Sequence, residues 1–324
     1  MDYLIFIISL AALIYGADLI INQSGKIALK FGISEYIIGA TLIALGTSLP
    51  EMAASIGASL QDKGVLAVSN IIGSNILNIT LVLSITLILA KNVNPHRDFF
   101  AKDSSWALFP VLIFIAVLMG GVVKQDSNEY ITEINRVYAF ALLSLMVGYI
   151  LFLLRHDKDT LEISNEIDIE ESANFNWLRV TLLLIVGFIF VVKGADYTIL
   201  SASNIAKSFG VSEWFVGVIL VALGTSTPEL IVSIVAAIKG KADMAIGNII
   251  GSNMANISIA LGLAAFVKPI RLDIAPYFFD ISIMVIATLM LVFITANKMY
   301  NKPAGISLLA LLLIFFEHTI KEIV

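Results

Sequence analysis

Apolar residues fall into ten long runs, at about 3–21, 37–60, 65–89, 106–123, 134–154, 178–200, 214–238, 243–267, 276–296 and 304–322. Each run is near the ~20 residues that an α-helix needs to cross the hydrocarbon core of a bilayer. Strong period-two alternation is absent, which argues against a membrane barrel. The first run has no basic segment before it and no small-residue cleavage site after it. It predicts a first spanning helix and not a removed signal peptide.

Composition sharpens this picture. Of 324 residues, 59% are hydrophobic and 14% charged, against about a quarter charged in a soluble domain. Mean hydropathy is +0.94. The predicted class is an all-α polytopic membrane protein. The net charge of −5 says little, because orientation follows the placement of Lys and Arg. With the N-terminus outside, twelve basic residues fall in inner loops and seven in outer ones, which predicts both termini outside and a multi-pass protein of the cell membrane. Cysteine is absent, so disulfides and thiolate metal sites are excluded.

The chain also repeats itself. Residues 16–78 align without a gap on 194–256, an offset of 178, with 31 identities in 63 pairs. The identities concentrate in Gly, Pro, Ser, Thr, Asn and Glu, so shared apolar bias does not produce them. The predicted organisation is a five-helix repeat over 1–155, an acidic cytoplasmic linker over 156–176, and a second five-helix repeat over 177–324. Five is odd, so the second repeat enters the membrane with the opposite topology. Inverted repeats with helices interrupted at matching positions mark secondary transporters, with the site near the midplane. The linker carries Asp157, Asp159, Glu162, Glu166, Asp168, Glu170 and Glu171; it lacks a calcium-loop pattern and reads as a solvated connection.

The interruptions are Gly46-Thr47-Ser48-Leu49-Pro50-Glu51 and Gly224-Thr225-Ser226-Thr227-Pro228-Glu229. Proline leaves the carbonyl four residues back without its helical donor, and such carbonyls persist at membrane depth only when buried in protein or lining a cavity. A carboxylate there needs a partner. A hard cation meets both demands, because carbonyl, hydroxyl and carboxylate oxygens are its ligands. Where the helix stays regular through the proline, Thr47 and Ser48 share a face with Glu51, and Thr225 and Ser226 with Glu229, at i,i+4 and i,i+3 spacing. Asn70, Ser74 and Asn78, spaced by four, make a polar stripe, repeated by Asn248, Ser252 and Asn256. Ser74, Asn78, Ser252 and Asn256 are candidate ligands; Asn70, Asn75, Asn248 and Asn253 are candidate supporting groups. Two ionised glutamates carry a charge that one Ca²⁺ or two Na⁺ neutralise. No basic residue lies near either motif, which disfavours an anion. Ser34-Glu35 and Ser212-Glu213 read as helix N-caps with a first-turn acid. Asp18 and Asp196 read as caps or access-path charges, and Lys193 as a partner for Asp196. No Walker-type loop indicates an ATP-driven pump.

Two copies of Gly-Thr-Ser-x-Pro-Glu, each followed by Asn-Ile-Ile-Gly-Ser-Asn-x-x-Asn, resemble the α-repeats of sodium/calcium exchangers in the cation/calcium antiporter superfamily, prokaryotic type. The resemblance covers both halves. It implies ten helices in two inverted repeats, alternating access by sliding of the first and sixth helices, and Na⁺ entry driving Ca²⁺ extrusion. It implies Glu51 and Glu229 as carboxylates shared by both ions, with oxygens from Thr47, Thr225, Ser48, Ser226, Ser74, Ser252, Asn78 and Asn256 and backbone carbonyls from Ala44 and Ala222. Relatives that require K⁺ are among those with Asp at one of the two last asparagine positions, whereas this chain has Asn at both. Proton/calcium exchangers resemble Gly-Asn-x-x-Glu instead. The partners implied are Ca²⁺, Na⁺ and the lipid bilayer, with no cofactor, no nucleic acid, no obligate protein partner and no enzymatic activity. Potassium-dependent or proton-coupled antiport on the same fold, and a passive cation channel, are the competing readings.

Overall fold

A computed structural model describes residues 2–90, 93, 95–124, 130–156, 175–209 and 213–323. The acidic linker expected over 156–176 falls mostly on 157–174, outside the described residues. The first half holds α1 (Asp2–Phe31), α2 (Glu35–Thr47), α3 (Leu49–Leu60), α4 (Gly64–Leu89), α5 (Phe99–Gly120), strands β1 (Val122–Lys124) and β2 (Tyr130–Ile134), and α6 (Arg136–His156). The second holds α7 (Trp177–Ser208), α8 (Glu213–Ile238), α9 (Ala242–Val267), β3 (Ile270–Leu272), α10 (Phe278–Ala296) and α11 (Lys302–Ile323). Among the described residues eight helices are long and apolar enough to cross a membrane, and up to nine counting α2 with α3 as one bent span. The protein is a multi-pass helical membrane protein.

Burial ranks the helices. The most apolar windows of α4 and α9 are 78% buried, those of α1 and α7 only 39% and 33%. Two equivalent helices, one from each half, therefore form the centre together with α2, none of whose residues is exposed, while α1 and α7 present apolar faces outward. In the centre, α2 lies against α9 at backbone contact. A Cβ on Gly251 would sit 2.3 Å from the Ala40 carbonyl oxygen, so only glycine permits this approach. Its repeat partner Gly73 has no such neighbour among the described residues.

The peripheral pair α1 and α7 make the most extensive helix–helix contact of the fold, with Thr198 donating to Ser9 at 2.9 Å. Both run well past their apolar runs. At 1.5 Å per residue, helices of 30 and 32 residues exceed the ~30 Å hydrocarbon thickness, so they tilt or project. The polar stretch Asn22-Gln23-Ser24 stays helical because Gln23 and Ser24 are buried.

One end of the bundle is tied by polar groups. Ser34 caps α2 as expected, accepting from Ile37 N at 3.4 Å; Ser212 lies outside the described residues. Lys241 pairs with Glu35 at 2.5 Å and Lys239 pairs with Asp18, so Asp18 is a tie between halves and not a cap. Asp196 pairs with Lys193 within α7 at 3.3 Å. Deeper, Arg97 grips Asp103 through two bonds, Nε–Oδ2 2.5 Å and Nη2–Oδ1 3.1 Å. Its guanidinium lies 4.4 Å over the Tyr36 ring, and Tyr36 meets Tyr149 hydroxyl to hydroxyl at 2.8 Å. Asp243, at the start of α9, accepts from the His96 and Arg97 backbone N–H groups at 3.0 Å each.

A small antiparallel sheet joins the halves: Val122 pairs with Thr132 in β1–β2, and Thr132 with Leu272 in β2–β3. Strands this short, of three to five residues, leave no alternating signature in sequence.

Candidate cation site

The two proline motifs take different backbone paths. After Thr47 the first-half helix breaks at Ser48, and α3 restarts with Pro50 in its first turn and a 47° change of direction. Pro50 is tolerated there because the first N–H groups of a helix have no acceptor within it. Glu51 falls in the same turn, where the positive end of the helix favours a carboxylate. In the second half α8 runs through, with Pro228 inside it. Packing distinguishes the copies: a Cβ on Gly46 would lie 2.1 Å from the Phe188 ring, whereas one on Gly224 meets, among the described residues, Ile199 at 3.7 Å.

Cross-half hydrogen bonds bring the motifs together. Ser48 Oγ donates to Glu229 Oε1 at 2.9 Å. Thr47 Oγ1 lies 3.3 Å from Asn248 Oδ1. Asn78 Nδ2 donates to Asn253 Oδ1 at 3.0 Å, and Asn256 Nδ2 to Asn75 Oδ1 at 3.1 Å. Asn78 and Asn256 each open a π-helical turn, Asn78–Leu83 and Asn256–Ala260, a deformation common at functional positions.

Burial is nearly complete. Glu51 is 1% exposed and Glu229 0%, yet Oε2 of each has no hydrogen-bond partner among the described residues. The same holds for Asn78 Oδ1, Asn256 Oδ1, Ser226 Oγ and Ser252 Oγ. Buried oxygens without donors are costly, and here they belong to two carboxylates, two amides and two hydroxyls. That donor set suits a hard cation, which takes six to eight oxygens. Ser74 is buried as well, and Thr225 half-buried. The Ala44 carbonyl accepts Ser48 N at 3.0 Å, and Thr47 Oγ1, which has a single proton to give to it or to Asn248 Oδ1, lies 3.3 Å away. Ala222 lies in α8, with its side-chain surroundings outside the described residues.

The supporting asparagines behave as the spacing suggests. Asn70 Nδ2 donates to Ser55 Oγ at 3.0 Å and reaches the Glu51 carbonyl at 3.4 Å. Its counterpart Asn248 donates to Ser233 Oγ at 3.0 Å. Ser55 and Ser233 are not among the candidates that spacing picks out, although they too are a matched pair of the repeat; each follows its glutamate by four residues.

Known proteins resemble this chain along nearly its whole length. The family described as sodium/calcium exchanger protein matches residues 1–155 and 179–321. The chain is 28% identical over 334 residues to the sodium/calcium exchanger MaX1 of Methanosarcina acetivorans, covering 95% of each. It is 31% identical over 316 residues to the inner membrane protein YrbG of Escherichia coli, covering 94% of this chain and 92% of that one. Among solved structures, the sodium-calcium exchanger NCX_Mj superposes with a TM-score of 0.77 at 30% identity, covering 98% of both chains. On its paired motifs, its central helices and this match along nearly its whole length, the chain belongs to the sodium/calcium exchanger family.

Proposed function

We propose that the chain is a secondary active antiporter that exchanges Na⁺ for Ca²⁺ at one buried site built on Glu51 and Glu229. The observation that carries this reading is a pair of buried carboxylates, one from each half, with Ser48 of the first motif donating to Glu229 of the second and each carboxylate keeping an oxygen that lacks a partner among the described residues. Asn78, Asn256, Ser226 and Ser252 supply neutral oxygens, with Thr47, Ser48, Thr225 and Ser74 beside them and Ala44 and Ala222 contributing backbone carbonyls in another conformation. Two ionised carboxylates are balanced by one Ca²⁺ or by two Na⁺, so the ions compete. If a further Na⁺ crosses, the cycle moves net charge, and the family suggests this electrogenic case. Neutral asparagines at 78 and 256 favour independence from K⁺. We read α2 with α3 as one span and α8 as another. This gives ten spans in two inverted repeats, both termini outside, with the long α1 and α7 sliding past the rest to alternate access.

The test is Na⁺-dependent Ca²⁺ uptake into sealed vesicles by Glu51→Gln and Glu229→Gln. Each removes one of the two charges, and transport is expected to vanish at normal protein levels. Flux near the normal rate in either variant overturns the site. Imposing Na⁺, K⁺ and pH gradients separately on the unaltered protein distinguishes this exchanger from proton-coupled or K⁺-dependent relatives.

A further inference from the structure

Four asparagines form a closed, two-fold symmetric ring at the crossing of α4 and α9. Asn75 Nδ2 donates to the Asn253 backbone carbonyl and Asn253 Nδ2 to the Asn75 backbone carbonyl, both at 3.4 Å. A carbonyl only accepts, so these two bonds fix which way each amide faces. Oδ1 of Asn253 is thereby turned toward Asn78, and Oδ1 of Asn75 toward Asn256. The facing atoms must be donors, and they are: Asn78 Nδ2 at 3.0 Å and Asn256 Nδ2 at 3.1 Å. What remains of Asn78 and Asn256 is Oδ1, buried and without a partner among the described residues.

We propose that Asn75 and Asn253 are positioning residues that set the polarity of the Asn256 and Asn78 amides, so that each presents oxygen and never nitrogen to the cation. This rests on the cation site proposed above. The ring has a second consequence. An aspartate at 78 or 256 has no N–H to give, so its oxygen would face an amide oxygen held in place by a backbone carbonyl. The ring therefore selects a neutral amide over a carboxylate at both positions and holds the ionisable ligands of the site at the two glutamates. The two halves do this for each other, since Asn75 orients a ligand of the second half and Asn253 a ligand of the first.

The test is a double-mutant comparison with Ca²⁺ itself as the probe, read as the Ca²⁺-induced rise in unfolding temperature of the detergent-solubilised full chain. Asn75→Leu is close in shape but holds no polarity, so the Asn256 amide can turn nitrogen inward. Loss of a group that orients a metal ligand typically weakens affinity about 10- to 100-fold, and a loss in that range is expected. In an Asn256→Asp background both terminal atoms are oxygens, so there is nothing to orient and an opposing oxygen is removed. There Asn75→Leu should cost less than about twofold or should strengthen binding. An equal loss in both backgrounds means Asn75 merely packs and overturns the proposal, as does no loss in the unaltered background. Asn253→Leu with Asn78→Asp repeats the comparison should Asn75→Leu not fold. Failure of the underlying site reads differently: Glu51→Gln would then keep the full Ca²⁺-induced stabilisation.

Discussion

Ser48 donates its hydroxyl to Glu229 across the two halves, Oγ to Oε1 at 2.9 Å, while the matching Ser226 hydroxyl, equally buried, has no partner among the described residues. Matching motifs thus carry unequal bonds. Ser48→Ala would leave a buried carboxylate oxygen without its donor, a penalty of about 1–3 kcal/mol. Ser226→Ala removes an unsatisfied oxygen and should leave ion-free stability nearly unchanged or raise it. Unfolding temperature in chelator checks both. With saturating Ca²⁺ the Ser226→Ala variant should gain less stabilisation than the unaltered protein.

Competition follows if both ions use Glu51 and Glu229, as proposed. Raising Na⁺ on the side from which Ca²⁺ binds should weaken apparent Ca²⁺ affinity steeply, because more than one Na⁺ replaces each Ca²⁺. If a third charge moves with Na⁺, each net charge gains about 2.3 kcal/mol per 100 mV, and an inside-negative potential should accelerate Ca²⁺ exit. Flux in vesicles clamped at several potentials measures this, and flux indifferent to voltage would leave only electroneutral exchange.

Potassium should not matter. Asn78 and Asn256 add no charge that would require a further monovalent cation, so Na⁺-driven uptake is expected at the same rate with K⁺ absent on both sides. A strict K⁺ requirement would overturn this.

The Arg97–Asp103 pair offers a test of the scaffold apart from the ions. Both side chains are at most 2% exposed. Breaking such a pair from one side strands a buried charge and typically costs about 3–5 kcal/mol. Asp103→Asn should therefore lower the unfolding temperature sharply, and Arg97→Met with Asp103→Leu should recover much of it. Arg97→Lys should remain destabilised, since an ammonium cannot reproduce the two-pronged grip or the stacking over Tyr36.

Much of this architecture is legible in the sequence, and particular residues show why. Strict registration of Gly46–Glu51 with Gly224–Glu229 exposes the repeat, and a carboxylate directly after an intramembrane proline marks a candidate functional site. Asn70 and Asn248 are recognisable as supporting groups from their spacing. Other features depend on neighbours distant in the chain. The apolar run of α1 stops near residue 21 because Asn22-Gln23-Ser24 is polar, yet tertiary burial of Gln23 and Ser24 carries the helix to Phe31. The break at Ser48 and the unbroken α8 arise from one motif, and the packing of Phe188 on Gly46 has no counterpart at Gly224 among the described residues. Ser55 and Ser233 give no signal of their own, because a lone serine in an apolar helix is ordinary until its asparagine partner is placed.

The seam of three strands has a practical use. Its central strand, Tyr130–Ile134, pairs on one side with the strand following α5 and on the other with Ile270–Leu272, so it stitches a connection of one half to a connection of the other. It contains no residue of α1 or α7. If those two helices slide while the remainder holds still, a probe on Glu133 keeps its distance to one on Arg271, its registered neighbour, through every step of the cycle. Distances from that fiducial to labels on the exposed Tyr15 of α1 and Tyr197 of α7 would then report absolute displacement of the moving pair, free of the ambiguity that arises when both ends of a molecular ruler travel.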